Sequence, residues 1–353
     1  MKIGIFSPYW QIMGGGEKYL LDIAQYLSRK DEIYILSNEN IKEKANKFFN
    51  IKLDRIHFLP EEIIQTKNML KRLTGLRQFD ILFYMTDGSV FFPFSRKNFL
   101  ILQSPNHIPP STFFNRLKLL NWKTVCYSQF IQRIIEKRLN LVPITLPPAI
   151  DVDLFKCDTT SKKNIILSVG RFFSHLHNKR HDFLVDVFTK NYKGVFNGWK
   201  LIIAGGLTDR EGEKIVDNLK KQSQGYPVEI LANIPFEKLK SLYQEAKIYW
   251  HAAGFAEDIE AHPEKAEHFG ITTLEAMAAG TVPLVFNAGG VKDIVSDGKN
   301  GYLWGTEEEF MEKNRKLLQD GKLLRKLSES SRLRAEDFSQ NKFYEKVEEI
   351  VTK

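Results

Sequence analysis

Two carboxylates, Glu267 and Glu275, flank a short loop and a helix start in the stretch EHFGITTLEAMAAGTVPLVFNAGG, which runs from Glu267 to Gly290. His268-Phe269-Gly270-Ile271 reads as a loop. Thr272 and Glu275 then open a helix of small residues, Val282–Phe286 reads as a buried strand, and Ala288-Gly289-Gly290 closes the unit. The first backbone N–H groups of a helix have no intrahelical acceptor, and the helix dipole adds positive charge there, so a glycine-led helix start favours an anion. Carboxylates do not hold phosphate, but they accept hydrogen bonds from hydroxyl groups. A diphosphate with a polyol on each side meets both demands, with ribose at one end and a hexose at the other: a nucleotide sugar. The tetrad Thr272-x-x-Glu275 has a second reading as a capping box, in which Thr272 takes the N3 amide and Glu275 reaches back.

The wider stretch resembles the E-x7-E segment of retaining GT-B glycosyltransferases, in particular glycosyltransferase family 4, the group 1 glycosyltransferases. Glu267 and Glu275 stand at its two glutamate positions, followed by its EAMAxGxPV and GG blocks. The resemblance implies that Glu267 contacts the donor sugar and Glu275 the ribose. It also implies that the backbone of Phe269, Gly270, Ile271 and Thr272 holds the diphosphate. Upstream, Gly170-Arg171-Phe172-Phe173 followed by His177-Asn178-Lys179 resembles the family's GR…K pair. Arg171 and Lys179 suit a diphosphate, because they neutralise its charge and the charge that develops as it departs. The glycine usual after the lysine is replaced by Arg180, which is expected to add charge nearby.

The elements that position these groups read as two α/β halves. Lys2–Ser7 is a strand, Met13-Gly14-Gly15-Gly16-Glu17 a glycine-rich turn, and Tyr19, Leu20, Ile23, Ala24 and Leu27 have helical spacing. Strand, glycine turn and helix make a phosphate loop, although G-x-G-x-x-G spacing is absent. The turn is similar to the family's GG-x-E loop, where Gly15 and Gly16 would let the backbone approach the donor phosphate or the acceptor. Further strands are expected at 33–37, 56–59, 81–85, 99–103 and 125–128, and a helix at 129–139. Residues 61–77 carry the pattern of a basic amphipathic helix, with Ile63, Ile64, Leu70, Leu73 and Leu76 set against Lys67, Lys71, Arg72 and Arg77. The strand at 99–103 ends in Ser104-Pro105-Asn106-His107, and by resemblance His107 reaches the donor sugar. In the second half, strands are expected at 164–170, 201–204, 228–231, 248–251 and 282–286, with helices at 239–246 and 341–351. Asn233 follows the strand at 228–231, and its backbone would face the base. The loop at 257–264 is acidic and longer than the common family form.

Leu146-Pro147-Pro148 and the following Asp151-Val152-Asp153-Leu154-Phe155 resemble the family's interdomain segment. That position argues against reading Asp151-x-Asp153 as a metal site. At 353 residues two domains are expected. The first is residues 1–150 with a returning helix at 338–353, and the second is 151–337. The chain carries a formal net charge of +8. Residues 1–150 hold 21 Lys+Arg against 12 Asp+Glu, a net of +9, which leaves −1 for the remainder. A basic half suggests an acidic partner surface: anionic lipid, nucleic acid or a phosphorylated acceptor. With the glycosyltransferase resemblance, nucleic acid is not an expected partner. Cys126 and Cys157 are the only cysteines, without metal spacing, and a reducing compartment fits. No secretory leader and no run of about 18 apolar residues is seen.

Together these readings imply an α/β protein of GT-B fold, two Rossmann-like domains facing across a cleft. The implied reaction is transfer of a hexose with retention from a nucleotide diphosphate sugar, with UDP-glucose the first donor to consider. The acceptor would be a glycan or a lipid-linked acceptor in polysaccharide biosynthesis. The enzyme is expected to need no metal and no cofactor, and to be cytoplasmic with peripheral contact at the inner face of the cell membrane. The alternatives are a GT-B-fold sugar-nucleotide epimerase and a non-catalytic sugar-nucleotide-binding protein. A dinucleotide-linked oxidoreductase fails on fingerprint spacing.

Overall fold

The computed structural model of the protein describes residues 1–157, 162–173, 178–207 and 209–353. His177 of the GR…K segment therefore lies outside the described residues. The chain divides into two compact units, Met1–Ala149 with Asn341–Lys353, and Ile150–Gln340.

Among the described residues the first unit holds seven strands: β1 (Lys2–Phe6), β2 (Glu32–Leu36), β3 (Ile56–Leu59), β4 (Ile81–Met85), β5 (Lys97–Leu102), β6 (Lys123–Cys126) and β7 (Ile144–Thr145). They form one parallel sheet in the order β3-β2-β1-β4-β5-β6-β7. Strands of a parallel sheet are covered on both faces by helices, which is why they read as continuous apolar runs. In β4 all five residues are buried. The order reverses between β1 and β4, and open α/β sheets bind ligands at the C-terminal strand ends of such a switch point. The first helix, Gly15–Leu27, buries Tyr19, Leu20, Ile23, Ala24 and Leu27, the expected face. The last helix, Gln340–Thr352, belongs to this unit from Asn341 onward. Its Tyr344 ring stacks on Tyr26 with centroids 4.4 Å apart, and Phe343 meets Tyr19 edge-on at 5.3 Å.

The second unit is built alike from β8 (Lys163–Val169), β9 (Lys200–Gly205), β10 (Val228–Ala232), β11 (Ala246–His251), β12 (Val282–Phe286) and β13 (Tyr302–Trp304). These six strands are parallel in the order β10-β9-β8-β11-β12-β13, with the reversal between β8 and β11. Trp250, Trp304, Phe188, Phe196 and Phe310 fill its core.

Three expectations need correction, and one helix has no counterpart among them. Residues 61–77 do not form one helix. They break into Glu62–Gln65 and Met69–Leu76, because Asn68 caps the second with its side-chain oxygen, accepting from the amides of Leu70 and Lys71. Leu70, expected among the apolar face, lies in water. Ile150 and residues 338–340 belong to the second unit, not the first. The amide of Ile150 donates to the carbonyl of Phe338 at 3.0 Å, and the Phe338 ring packs on Phe269. The helix His181–Lys190 was not anticipated, although it buries Phe183, Leu184, Val187 and Phe188.

Candidate active site

Glu267 is the centre of the constellation in the second unit. Its Oε2 accepts from Lys179 Nζ at 2.5 Å and lies 3.1 Å from His251 Nε2. Both residues of the ion pair are mostly buried, with side chains 17% and 15% exposed. His251 is the last residue of β11 and Arg171 follows the end of β8 by two residues, so both stand at the switch point of this sheet. Burial holds the His251 imidazole below its ordinary pKa, against the opposing pull of Glu267. A neutral imidazole next to a carboxylate donates through Nε2, so His251 orients Glu267 without adding charge.

The loop that carries Glu267 is fixed by the glycine pair that follows β12. The amide of Gly290 donates to the carbonyl of Glu267 at 2.7 Å. A Cβ at Gly290 would overlap the carbonyl oxygen of His268, and one at Gly289 that of Glu267. The GG block is therefore a close-approach surface that sets the position of the carboxylate.

The helix start differs from the capping-box expectation. The helix spans Ile271–Ala278 and its N-cap is Gly270, at φ 103°. Thr272 is already inside the first turn, and its hydroxyl lies 2.8 Å from that of Tyr249, which also donates to the Val169 carbonyl at 3.2 Å. Glu275 Oε2 accepts from the buried Tyr243 hydroxyl at 2.8 Å. A left-handed glycine takes the N-cap position and offers no side chain to accept from the first turn. That start leaves the amides of Ile271 and Thr272 ahead of any intrahelical acceptor. Phe269 is buried and serves as a packing residue before the turn.

Arg171 is exposed, with its guanidinium 5.4 Å from the centroid of Phe173. Arg180 does not add loose charge. Its backbone sits at φ 52°, which accounts for a glycine being the common residue here. Its side chain pairs with Asp182 at 3.2 Å and donates to the Phe255 carbonyl at 2.6 Å, holding the start of the acidic loop. Asn233, also at positive φ, spends both ends of its amide on the backbone of Leu207, at 2.8 and 2.9 Å. It clamps a loop with its side chain. Asp151 caps the helix Val152–Phe155 by accepting from the Leu154 amide at 3.3 Å, and Asp153 pairs with Lys156 at 2.5 Å.

The remaining candidates belong to the first unit. Gly15 and Gly16 begin the first helix behind N-cap Gly14, whose amide donates to Glu17 Oε2 at 2.9 Å. The Ser7 hydroxyl donates to Glu17 Oε1 at 2.8 Å, and burial raises the pKa of this carboxyl. A side chain at Gly16 would run into Gln103, whereas Gly15 has nothing within 4 Å of its Cβ direction. Gly16 thus faces side chains that would have to shift for anything larger, and Gly15 faces open space. His107 ends a 3-10 turn, Pro105–His107, at the end of β5. Its ring stacks on Tyr9 with centroids 5.6 Å apart, and burial lowers its pKa while Asp87 opposes this.

Sequence reading missed His251, Tyr243 and Tyr249. Tyr249 and His251 lie in the apolar run at 248–253 and read as core, and Tyr243 reads as one apolar position of an amphipathic helix. Only the fold brings them to Glu267, Glu275 and Thr272.

Known proteins with related sequences and structures agree with this architecture. Residues 151–334 match the family described as Glycosyl transferases group 1. A Xenopus laevis protein described as a GDP-Man:Man(3)GlcNAc(2)-PP-Dol alpha-1,2-mannosyltransferase is 28% identical over 87% of this chain and 78% of its own length. The human protein of the same description is 33% identical, over 49% of this chain and only 36% of its own length. An uncharacterized glycosyltransferase of Haemophilus influenzae is 27% identical over 98% of both chains. Among solved structures, a glycosyltransferase from Rickettsia africae superposes with a TM-score of 0.73 at 17% identity, covering 99% of this chain and 97% of its own. Anabaena HepE in complex with UDP and glucose gives 0.70 at 14% identity, covering 100% and 99%. At those identities the likeness carries the fold, which is GT-B.

Proposed function

The chain belongs to the group 1 glycosyl transferases, whose match covers more than half of its length, and on that footing we propose that it moves a hexose, with retention and without a metal, from a nucleotide diphosphate sugar to a glycan or lipid-linked acceptor in polysaccharide biosynthesis. UDP-glucose is the first donor to test, beside GDP-mannose, which the Xenopus and human relatives carry in their descriptions.

The observation that carries this reading is the pairing of Glu267 with Lys179, beside a glycine-led helix start whose inner carboxylate, Glu275, is held by Tyr243. The amides of Ile271 and Thr272 suit the diphosphate, and Arg171 and Lys179 supply compensating charge. Glu275 accepts from ribose hydroxyls and Glu267 from those of the hexose. An ammonium has three donors, so Lys179 can keep Glu267 while giving a second hydrogen bond to phosphate. In the transfer, the acceptor oxygen forms the new bond to the anomeric carbon on the face the diphosphate leaves. The C–O bond to phosphate breaks, and the acceptor proton passes to the departing phosphate oxygen. The protein contributes position and charge stabilisation. His107 is assigned to the sugar, and Gly15 to close approach of donor or acceptor. Peripheral contact of the basic first unit with an anionic membrane belongs to the same reading.

The test is incubation with donor alone. Slow release of free sugar with its anomer retained supports a transferase, and a new epimer supports an epimerase. Binding without either leaves a sugar-nucleotide-binding protein and overturns the proposal.

A further inference from the structure

The first unit contains a cavity of about 430 Å³ that the reading above does not use. Its wall includes Phe6, Tyr84, Phe91 and Phe92, with the cations Arg72 and Lys118. Phe6 ends β1 and Tyr84 belongs to β4, so the cavity lies at the switch point of this sheet. Arg72 is set by its own contacts. Its guanidinium stands 4.7 Å from the Phe91 centroid and donates to the carbonyls of Ile64, at 3.1 Å, and Thr66. Asp87 is the one acid in the wall, and its Oδ1 accepts the Ser89 amide at 3.0 Å.

Arg72 and Lys118 come from two helices, Met69–Leu76 and Phe113–Leu119, which leave large apolar groups in water. Phe113, Phe114 and Leu120 are 72%, 69% and 76% exposed, and Met69 and Leu70 are 57% and 72% exposed. Leu119 is the only buried residue of the Phe113–Leu119 helix. The two helices meet at the cavity, whose wall takes Met69 and Arg72 from one and Lys118 from the other, and exposed apolar groups gathered around such a place mark an interaction site.

Charge selects the occupant. From Gly88 to Ile135 the sequence holds six cations, Arg96, Lys97, Arg116, Lys118, Lys123 and Arg133, and no Asp or Glu. Two of them, Arg116 and Lys118, sit within the exposed aromatic helix itself. Leucine and methionine gain nothing from base stacking, which argues against a nucleic acid. Phe and Leu at the boundary of headgroups and acyl chains, with cations against phosphates, is the pattern of an interfacial element.

We propose that residues 113–120, with Met69 and Leu70, dock the first unit on an anionic phospholipid bilayer, and that the cavity between Arg72 and Lys118 receives a lipid phosphate. The proposal rests on the lipid-linked acceptor reading for its purpose, but its test needs neither donor nor turnover, so the two can fail separately.

The experiment is co-sedimentation with phosphatidylcholine vesicles and with phosphatidylcholine–phosphatidylglycerol vesicles, at low and high salt. The wild type should bind the anionic vesicles at low salt. F113S/F114S/L117S should lower that binding by about tenfold or more, since three apolar groups are lost from the interface. R116S/K118S should remove most of its salt dependence. Thermal unfolding of both variants should match the wild type, because the substituted groups lie mostly at the surface. Equal binding to both vesicles, none at low salt, or full binding by the triple variant overturns the proposal. So does sedimentation velocity without lipid in which the wild type self-associates, the triple variant does not, and neither binds vesicles, because the face then joins copies of this chain.

Discussion

Glu267 carries two donors on one oxygen, Lys179 at 2.5 Å and His251 at 3.1 Å. Changing either end of the ion pair therefore changes the other, and single substitutions should not add. K179A is expected to weaken nucleoside diphosphate binding by about 1.5–3 kcal/mol, the worth of charge-assisted bonds. E267Q should cut turnover by more than it changes diphosphate affinity, since it reaches the diphosphate only through Lys179. The double variant should fall short of the summed losses, as expected of groups in direct contact. Calorimetry with the diphosphate and initial rates on the four proteins check this, and additive losses would remove the coupling. At the other carboxylate, Y243F takes away the hydroxyl that aligns Glu275 and should weaken nucleotide binding by about 1 kcal/mol. E275A should do more, lowering stability as well by about 1–3 kcal/mol, because the buried Tyr243 hydroxyl loses its acceptor. Equal stability of wild type and E275A by thermal unfolding would mean that hydroxyl has found another partner.

The helix His181–Lys190 shows how an element controls the pH range of the second unit. His181 is its first residue, buried edge-on against Phe172, with Lys179 two residues away. Burial first, and then the Lys179 charge, pushes its pKa down to about 3. The unfolded chain takes up this proton near the ordinary value of 6.5 and the folded chain does not until about pH 3. Its contribution is thus fully present above pH 6.5 and is lost as pH falls through that window. The slope is at most about 1.4 kcal/mol per pH unit for one group. H181F should flatten the decline in stability between pH 6.5 and 4.5, measured by denaturant unfolding, by up to about 2–3 kcal/mol. Parallel curves for the two proteins would place the titration elsewhere.

Elements of this kind differ in how far the sequence discloses them. The strands were legible because both faces of a parallel sheet are buried and the apolar runs are unbroken, as in Ile81–Met85 and Val282–Phe286. The break at Asn68 was legible too, as an N-cap residue before Met69, but the periodicity of 61–77 masks it. The placement of Glu267, Glu275, Lys179 and Arg171 in one unit followed from their blocks. The second layer did not, because Tyr243, Tyr249 and His251 take their roles from β11 and the helix before it packing beside Ile271–Ala278. The cap at Gly270 also escaped, since Thr272 satisfied a local rule that the left-handed glycine two residues earlier overrides.

At the scale of the molecule the chain is two units with separate parallel sheets, and it passes between them at Ala149–Ile150 and at Gln340–Asn341. Each has its own buried aromatic core, Phe79, Tyr84 and Trp122 in one and Trp250, Trp304 and Phe310 in the other. The residues proposed for the diphosphate and ribose, Arg171, Lys179, the amides of Ile271 and Thr272, and Glu275, all belong to the second unit. A nucleoside diphosphate that binds there should stabilise that unit foremost. At a free concentration of 100 times its dissociation constant, a ligand bound only by the folded state adds about 2.7 kcal/mol. Scanning calorimetry should then resolve the endotherm into two components as nucleotide is added, with one rising in temperature and the other holding. K179A, with the weaker affinity argued above, should cut that gain at the same concentration to about 0.3–1.3 kcal/mol without lowering the component that does not move. A single transition that rises as a whole would mean that the two cores unfold as one cooperative body. No shift with UDP, GDP or their sugars would remove the nucleotide from the proposed site.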